Sequence, residues 1–365
     1  MQEATRFSLF ATNQSSKFTR FSKILTQYVT APKTPVIIFC DPGVDDVLML
    51  LQILGPQTDY TVVGIVPVRG NASSQICTEN TLAVCEYIGR KDVPVYPGKT
   101  GEFVGKAVYG DRAMGGLDLP PAQEMKAQEM SGIAFACNFL KTQKAVIVST
   151  ANLVEPAEML TTLKNENPDA LKNIIALSIM GGVFNASQEA NFPFEEKKYS
   201  EANVGDQPTA TKQVFDIAAQ YNLPIFLSPL DLTHSILVSK TDIEPLANSE
   251  NRTAKSAYTL INDVPEHYKR RFGKGPDNEY RQPLHDLHAT MCLLYPHLYR
   301  GRWVELNVTP TLQSPHFSIK SEGKGNVFIL SIPTMDRSKF IDTLIQDYRH
   351  ESVVCNPTQR SKTRT

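Results

Sequence analysis

The chain has 365 residues, with 37 basic side chains against 38 acidic ones and a formal net charge of −1. That balance provides no field to draw it to nucleic acid or to an anionic membrane. A composition of 41% hydrophobic and 21% charged residues is that of a globular protein long enough to bury a large core.

The first 33 residues hold Arg6, Lys17, Arg20 and Lys23 with Glu3 as the one acid, and read as an N-terminal extension, disordered or helical. A cytoplasmic location is expected, with organellar targeting by this extension as the other reading. No apolar run approaches the length of a membrane span. The six cysteines, Cys40, Cys77, Cys85, Cys137, Cys292 and Cys355, form no CxxC pair, so buried thiols are expected rather than disulfides or a zinc site.

The core pattern starts at Pro35. "VIIF" is a short β-branched run of a strand covered on both faces, "DPG" breaks it, and "VDDVLMLLQIL" continues with helical periodicity. "YTVVGIVPV" predicts a second strand, and "SSQICTENTLAVCEYIGR" a helix closing at Gly89. "AVIVST", "IIALSIMGG", "LPIFLSPL" and "VFILSI" follow as buried strands, with helices over Ile133 to Lys141, Pro156 to Leu163 and Thr209 to Ala219. Alternating strands and helices predict a single α/β domain over residues 34–348, an open and mostly parallel, mixed sheet flanked by helices, followed by a disordered tail over 349–365. Two irregular stretches, Ala107 to Met125 and Asn185 to Pro208, are long enough to be functional loops.

In open α/β sheets ligands bind beyond the carboxyl ends of the strands. Asp41 stands at such an end, and Asp45 and Asp46 fall in the first helical turn, where the dipole of an exposed helix supports a carboxylate by at most about 1 kcal/mol. Three acids in a dry cleft need more than that, and a hard divalent cation supplies it. The spacing is not that of a DxDxDG calcium loop, so remote residues must complete the site. "PLHDLHAT" offers Asp286 with His285 beside it, and "SEAN" offers Glu201 and Asn203, alternating along the chain, for paired sugar hydroxyls. Plainer readings stand beside these: an acidic helix cap for the aspartates, a capping or core histidine for His285, a left-handed turn for Asn71 and a solvated loop for Glu201 and Asn203.

Asp41-Pro42-Gly43-Val44-Asp45-Asp46 resembles the DPGxDD loop of the inosine-uridine-preferring nucleoside hydrolases. The likeness continues in order through "RGNASSQICTEN", "MGGLDLP", "IALSIMGGVF", "SEAN", "LSPLDLTH" and "PLHD", over roughly residues 35 to 345. The resemblance implies Ca²⁺-dependent hydrolysis of the N-glycosidic bond of ribonucleosides. It puts the ion on Asp41, Asp46, Asp286 and the backbone carbonyl of Val154, and ribose on Asp45, Asn71, Asn191, Glu201 and Asn203. Asp41 is the implied general base, and His285, able to change charge near neutral pH, the acid at the leaving base. A homodimer or homotetramer is implied too. A non-catalytic nucleoside-binding homologue and a hydrolase of another N-riboside, such as nicotinamide riboside, are the alternatives. The chain departs from the family pattern at Phe39-Cys40, at Tyr109-Gly110 in place of His-Gly, and at Gln207-Pro208, with Asp206 displaced by one. The Asn at the 5′-hydroxyl is recovered only as Asn191, across an insertion.

Overall fold

A computed structural model describes residues 33–55, 59–99, 109–184, 201–310, 317–331 and 337–349. Asn191, residues 1–32 of the expected extension and residues 350–365 of the expected tail lie outside the described residues.

Strand β1 (Thr34–Cys40) pairs in parallel with β2 (Tyr60–Pro67) on one side and with β3 (Ala145–Ser149) on the other. β4 (Ile174–Met180) and β5 (Ile225–Ser228) extend the parallel sheet beyond β3. Leaving aside β6 (Leu237–Ser239) and β7 (Arg281–Pro283), which form a small sheet of their own, the main sheet continues with β8 (Arg300–Val308), β9 (Phe317–Glu322) and β10 (Val327–Ser331). Its order is β2-β1-β3-β4-β5-β10-β8-β9. β10 is parallel to β5, whereas β8 and β9 run antiparallel.

The expected mixed α/β sheet is therefore present, and its antiparallel arm is an addition. "RGRWVELNV" of β8 is only partly buried, so it lacks the continuous apolar run that marks the parallel strands.

Alternation along β1 assigns Val36, Ile38 and Cys40 to one core and Ile37 and Phe39 to the other, on opposite faces of the sheet. Helix α1 (Val44–Ile53) is buried at all ten positions. It packs in the first core with α2 (Ser74–Tyr87), and the second core takes α3 (Gly132–Leu140) and α4 (Val154–Glu166). α2 ends at Tyr87, with Gly89 at φ 79° two residues on. "SEAN" is not extended. Glu201 caps the short helix α5 (Ala202–Asp206), which is followed by α6 (Pro208–Gln220). Helices α7 (Leu230–Thr233), α8 (Arg252–Asn262), α9 (Glu266–Phe272), α10 (Leu287–Leu294) and α11 (Arg337–Arg349) complete the chain.

Candidate active site

Asp41 follows β1 directly, and two residues of turn separate it from α1. The chain crosses a strand end, so Asp41, Asp45 and Asp46 arrive together at the carboxyl edge of the sheet. Asp286, far away in sequence, joins them as the residue before α10. Carboxylate oxygens of Asp45, Asp46 and Asp286 all lie within 4.8 Å of one another. Asp41 sits close enough that its charge acts on both Asp46 and Asp286. The tightest trio thus contains Asp45, which the family resemblance assigns to the sugar, with Asp41 on its flank.

The supports of this cluster are specific. Asp41 Oδ2 accepts the Asn71 backbone N–H at 2.6 Å, and Asn71 Nδ2 donates to the Asp41 carbonyl at 3.0 Å. Gly70 makes that approach possible, because a Cβ there would fall 1.9 Å from Asp41 Oδ2. Asn71 itself has no positive φ, so the left-handed-turn reading does not hold. Asp46 is fully buried and accepts Thr150 Oγ1 at 2.7 Å and the Gly43 N–H at 3.3 Å. Asn80 Nδ2 ties the loop down by donating to the carbonyls of Pro42 and Arg112.

Asp41, Asp46 and Asp286 are 4% exposed or less, and Asp45 is 8% exposed. Among the described residues none of the four forms an ion pair with Lys or Arg. Two unit charges 4.8 Å apart repel by about 3 kcal/mol at an effective dielectric of 20. Burial is the main cause that raises all four carboxyls, with the neighbouring carboxylates adding to it at Asp41, Asp46 and Asp286. Asp41 and Asp286 are held well above the usual carboxylate range and Asp46 is pushed to about 7, against the lowering effect of its Thr150 and Gly43 hydrogen bonds. An all-oxygen, all-acidic pocket with no cationic side chain among the described residues fits a hard divalent ion. Cys40 does not compensate, since burial first and Asp46 second drive its thiol far up, leaving it neutral.

The other wall of the cleft is neutral. His285 is 4% exposed and both of its nitrogens are engaged, Nδ1 with Thr233 Oγ1 and Nε2 with Tyr268 OH, each at 2.7 Å. Tyr109 in turn hydrogen-bonds Tyr268. His234 lies 5.2 Å from His285 between ring centroids, and His267 meets Tyr109 edge-on at 6.3 Å. Burial first, then the surrounding imidazoles and Arg271, hold His285 well below 6.5. Burial disfavours the imidazolium here, since the ring is dry and no carboxylate partners it among the described residues.

The residues expected at the sugar are tied to backbone. Glu201 accepts the N–H groups of Gly182, Asn203 and Val204 at 2.8 to 3.0 Å, and Asn203 Nδ2 donates to Thr150 O at 2.9 Å and Met180 O at 3.3 Å. They stand beside the acidic cluster through Thr150, not in a solvated loop. Val154 opens α4, four residues beyond Thr150, with its N–H on Asn152 Oδ1. Asp206, displaced from its expected register, pairs with Arg69 at 2.9 Å.

Thr150, Thr233, Tyr268, His234 and His267 are additions to the residues singled out from sequence. Thr150 closes "AVIVST" at a strand end, a position the strand-end rule marks. "EHYKRRF", which carries His267 and Tyr268, bears no comparable signal.

A family model described as inosine-uridine preferring nucleoside hydrolase matches residues 36–342. An uncharacterized protein of Schizosaccharomyces pombe is 26% identical over 279 residues, covering 75% of this chain and 84% of its own. The pyrimidine-specific ribonucleoside hydrolase RihA of Salmonella paratyphi C is 26% identical over 328 residues, covering 86% and 97%. Among solved structures, a purine-preferring ribonucleoside hydrolase from Gardnerella vaginalis superposes with a TM-score of 0.70 at 20% identity, over 87% of this chain and 99% of that one, a likeness of fold. The chain belongs to the inosine-uridine preferring nucleoside hydrolase family, and is a nucleoside hydrolase.

Proposed function

We propose that the protein hydrolyses the N-glycosidic bond of ribonucleosides in a Ca²⁺-dependent reaction, releasing base and ribose. The observation that carries this reading is the buried meeting of Asp45, Asp46 and Asp286 beside Asp41, an acidic site without a cationic side chain among the described residues. Asp41, Asp46 and Asp286 by side chain and Val154 by its carbonyl are the proposed metal ligands. When bound, the ion supplies Lewis-acid charge that lowers the pKa of a water and offsets the carboxylates.

The chain's own groups do the rest. Asp41, oriented by Asn71, takes the proton of the attacking water. Asp45, Asn71, Glu201 and Asn203 surround the ribose hydroxyls, with Asn191 proposed at the 5′ end. On the opposite side negative charge builds on the departing base as the bond breaks. His285, locked between Thr233 and Tyr268, is proposed to act on that base through Tyr268: the phenol gives its proton to the base nitrogen, and the phenolate left behind accepts a hydrogen bond from the imidazole Nε2–H and is reprotonated from solvent. The protein is proposed to work as a homodimer or homotetramer in the cytoplasm, which light scattering and fractionation would test.

A reducing-sugar assay over purine, pyrimidine and nicotinamide ribosides, with and without chelator, tests the reading. Ribose release that needs added Ca²⁺ and disappears in Asp41→Ala supports it. Release untouched by chelator, or surviving Asp41→Ala, sinks it.

A further inference from the structure

Gln52 is 2% exposed near the end of α1, two turns along from Asp45, so the two project from the same side of that helix. Thr290 is fully buried on α10, one turn from Asp286. Thr290 Oγ1 donates to Gln52 Oε1 at 3.0 Å, with the Leu287 carbonyl as a second acceptor at 3.2 Å. The amide is held in that orientation from its other end, because Gln52 Nε2 donates to Asp347 Oδ2 of α11 at 2.7 Å, and Asp347 is itself bonded by Tyr295 OH. Apart from the aspartates themselves, Gln52 makes the side-chain hydrogen bonds that join α1 to α10 among the described residues, to Thr290 and to Met291 Sδ.

These two helices carry the two halves of the acidic cluster. Asp45 and Asp46 ride on α1 and Asp286 sits at the head of α10, so mutual repulsion of the carboxylates acts to part the helices. A buried amide that cannot find another partner without leaving two polar groups unsatisfied resists that movement. We propose that Gln52, fixed by Asp347 and bonded to Thr290, is a positioning residue that sets the distance between Asp45/Asp46 and Asp286 and so preorganises the cation site. The proposal rests on the cation-dependent reading above. It follows that losing the strut loosens the spacing of the carboxylates and weakens cation binding by more than the accompanying loss of fold stability accounts for.

Calorimetric titration of chelator-stripped full-length protein with CaCl₂ tests this, together with melting temperatures of the stripped proteins. Thr290→Val keeps shape and removes the bond to Gln52. Gln52→Leu removes both ends of the strut. Tyr295→Phe removes a bond from the same network without touching the link between α1 and α10. Thr290→Val and Gln52→Leu are expected to raise the Ca²⁺ Kd about tenfold, and Tyr295→Phe to leave it within about twofold despite a similar change in melting temperature. A Thr290→Val Kd within about twofold of wild type overturns the proposal, as does an equal weakening in Tyr295→Phe. Wild type that binds no Ca²⁺ removes the functional reading itself and this one with it, a result distinct from a strut variant that binds normally.

Discussion

The two walls of the cleft solve burial in opposite ways. On the wall of Asp41, Asp45, Asp46 and Asp286, charges of one sign are gathered and left without a counter-charge among the described residues, so their carboxyls are driven up. On the wall of Thr233, Tyr268, His285 and Tyr109, both imidazole nitrogens are matched, and burial keeps the ring neutral. The first wall is complete only with something added. The second is complete by itself, and can be perturbed only by breaking a hydrogen bond.

The acidic wall is most sensitive at Asp41. Asp41→Asn keeps shape and removes the base, and kcat should fall ~10²–10⁴-fold with KM changing far less, as read by initial rates at saturating Ca²⁺. Next comes Gly70→Ala: its Cβ would fall 1.9 Å from Asp41 Oδ2, so the carboxylate must move. A displacement of that size should cost about 10²-fold in kcat/KM while secondary structure by circular dichroism is unchanged. The neutral wall should respond more mildly. Tyr268→Phe should slow inosine or uridine hydrolysis about tenfold yet spare a p-nitrophenyl riboside, whose leaving group departs without a proton. An equal loss on both substrates would remove the proton-delivery role.

The smallest effect is on the pH dependence of stability. Burial, with Arg271 adding, pushes His234 down to about 3 from 6.5. A depressed imidazole contributes stability that is present above pH 6.5 and is lost as pH falls toward 3, by about 1.4 kcal/mol per pH unit for each such group. The raised carboxyls act in the opposite sense over part of that range, so the difference between two proteins is the quantity to read. His234→Gln should lose less stability than wild type between pH 7 and 5 in urea titrations. Parallel curves for the two would mean that His234 does not titrate as its burial implies.

The acidic wall was legible in sequence and the neutral wall hardly at all, for a physical reason. Asp41, Asp45 and Asp46 lie within six residues, on a strand end and a first helical turn whose geometry follows from local pattern. Asp286 carried an adjacent histidine as its mark. The partners of His285 come instead from α7 and α9, 52 and 17 residues away, and are joined by tertiary packing that no local period encodes. The same limit hid the arm of β8 and β9, and it hid that Glu201 of "SEAN" is a helix cap whose carboxylate holds three backbone N–H groups.

The place of β10 in the sheet carries a consequence for how the chain is made. β8 joins the sheet only through β10, and β9 only through β8, although both precede β10 in sequence. As the chain is synthesised, β8 and β9 are complete before the strand on which they dock exists, and they must wait as an unattached hairpin with both edges open. During that interval the open edges offer a template for strand-to-strand aggregation, and for a chaperone that recognises such an edge.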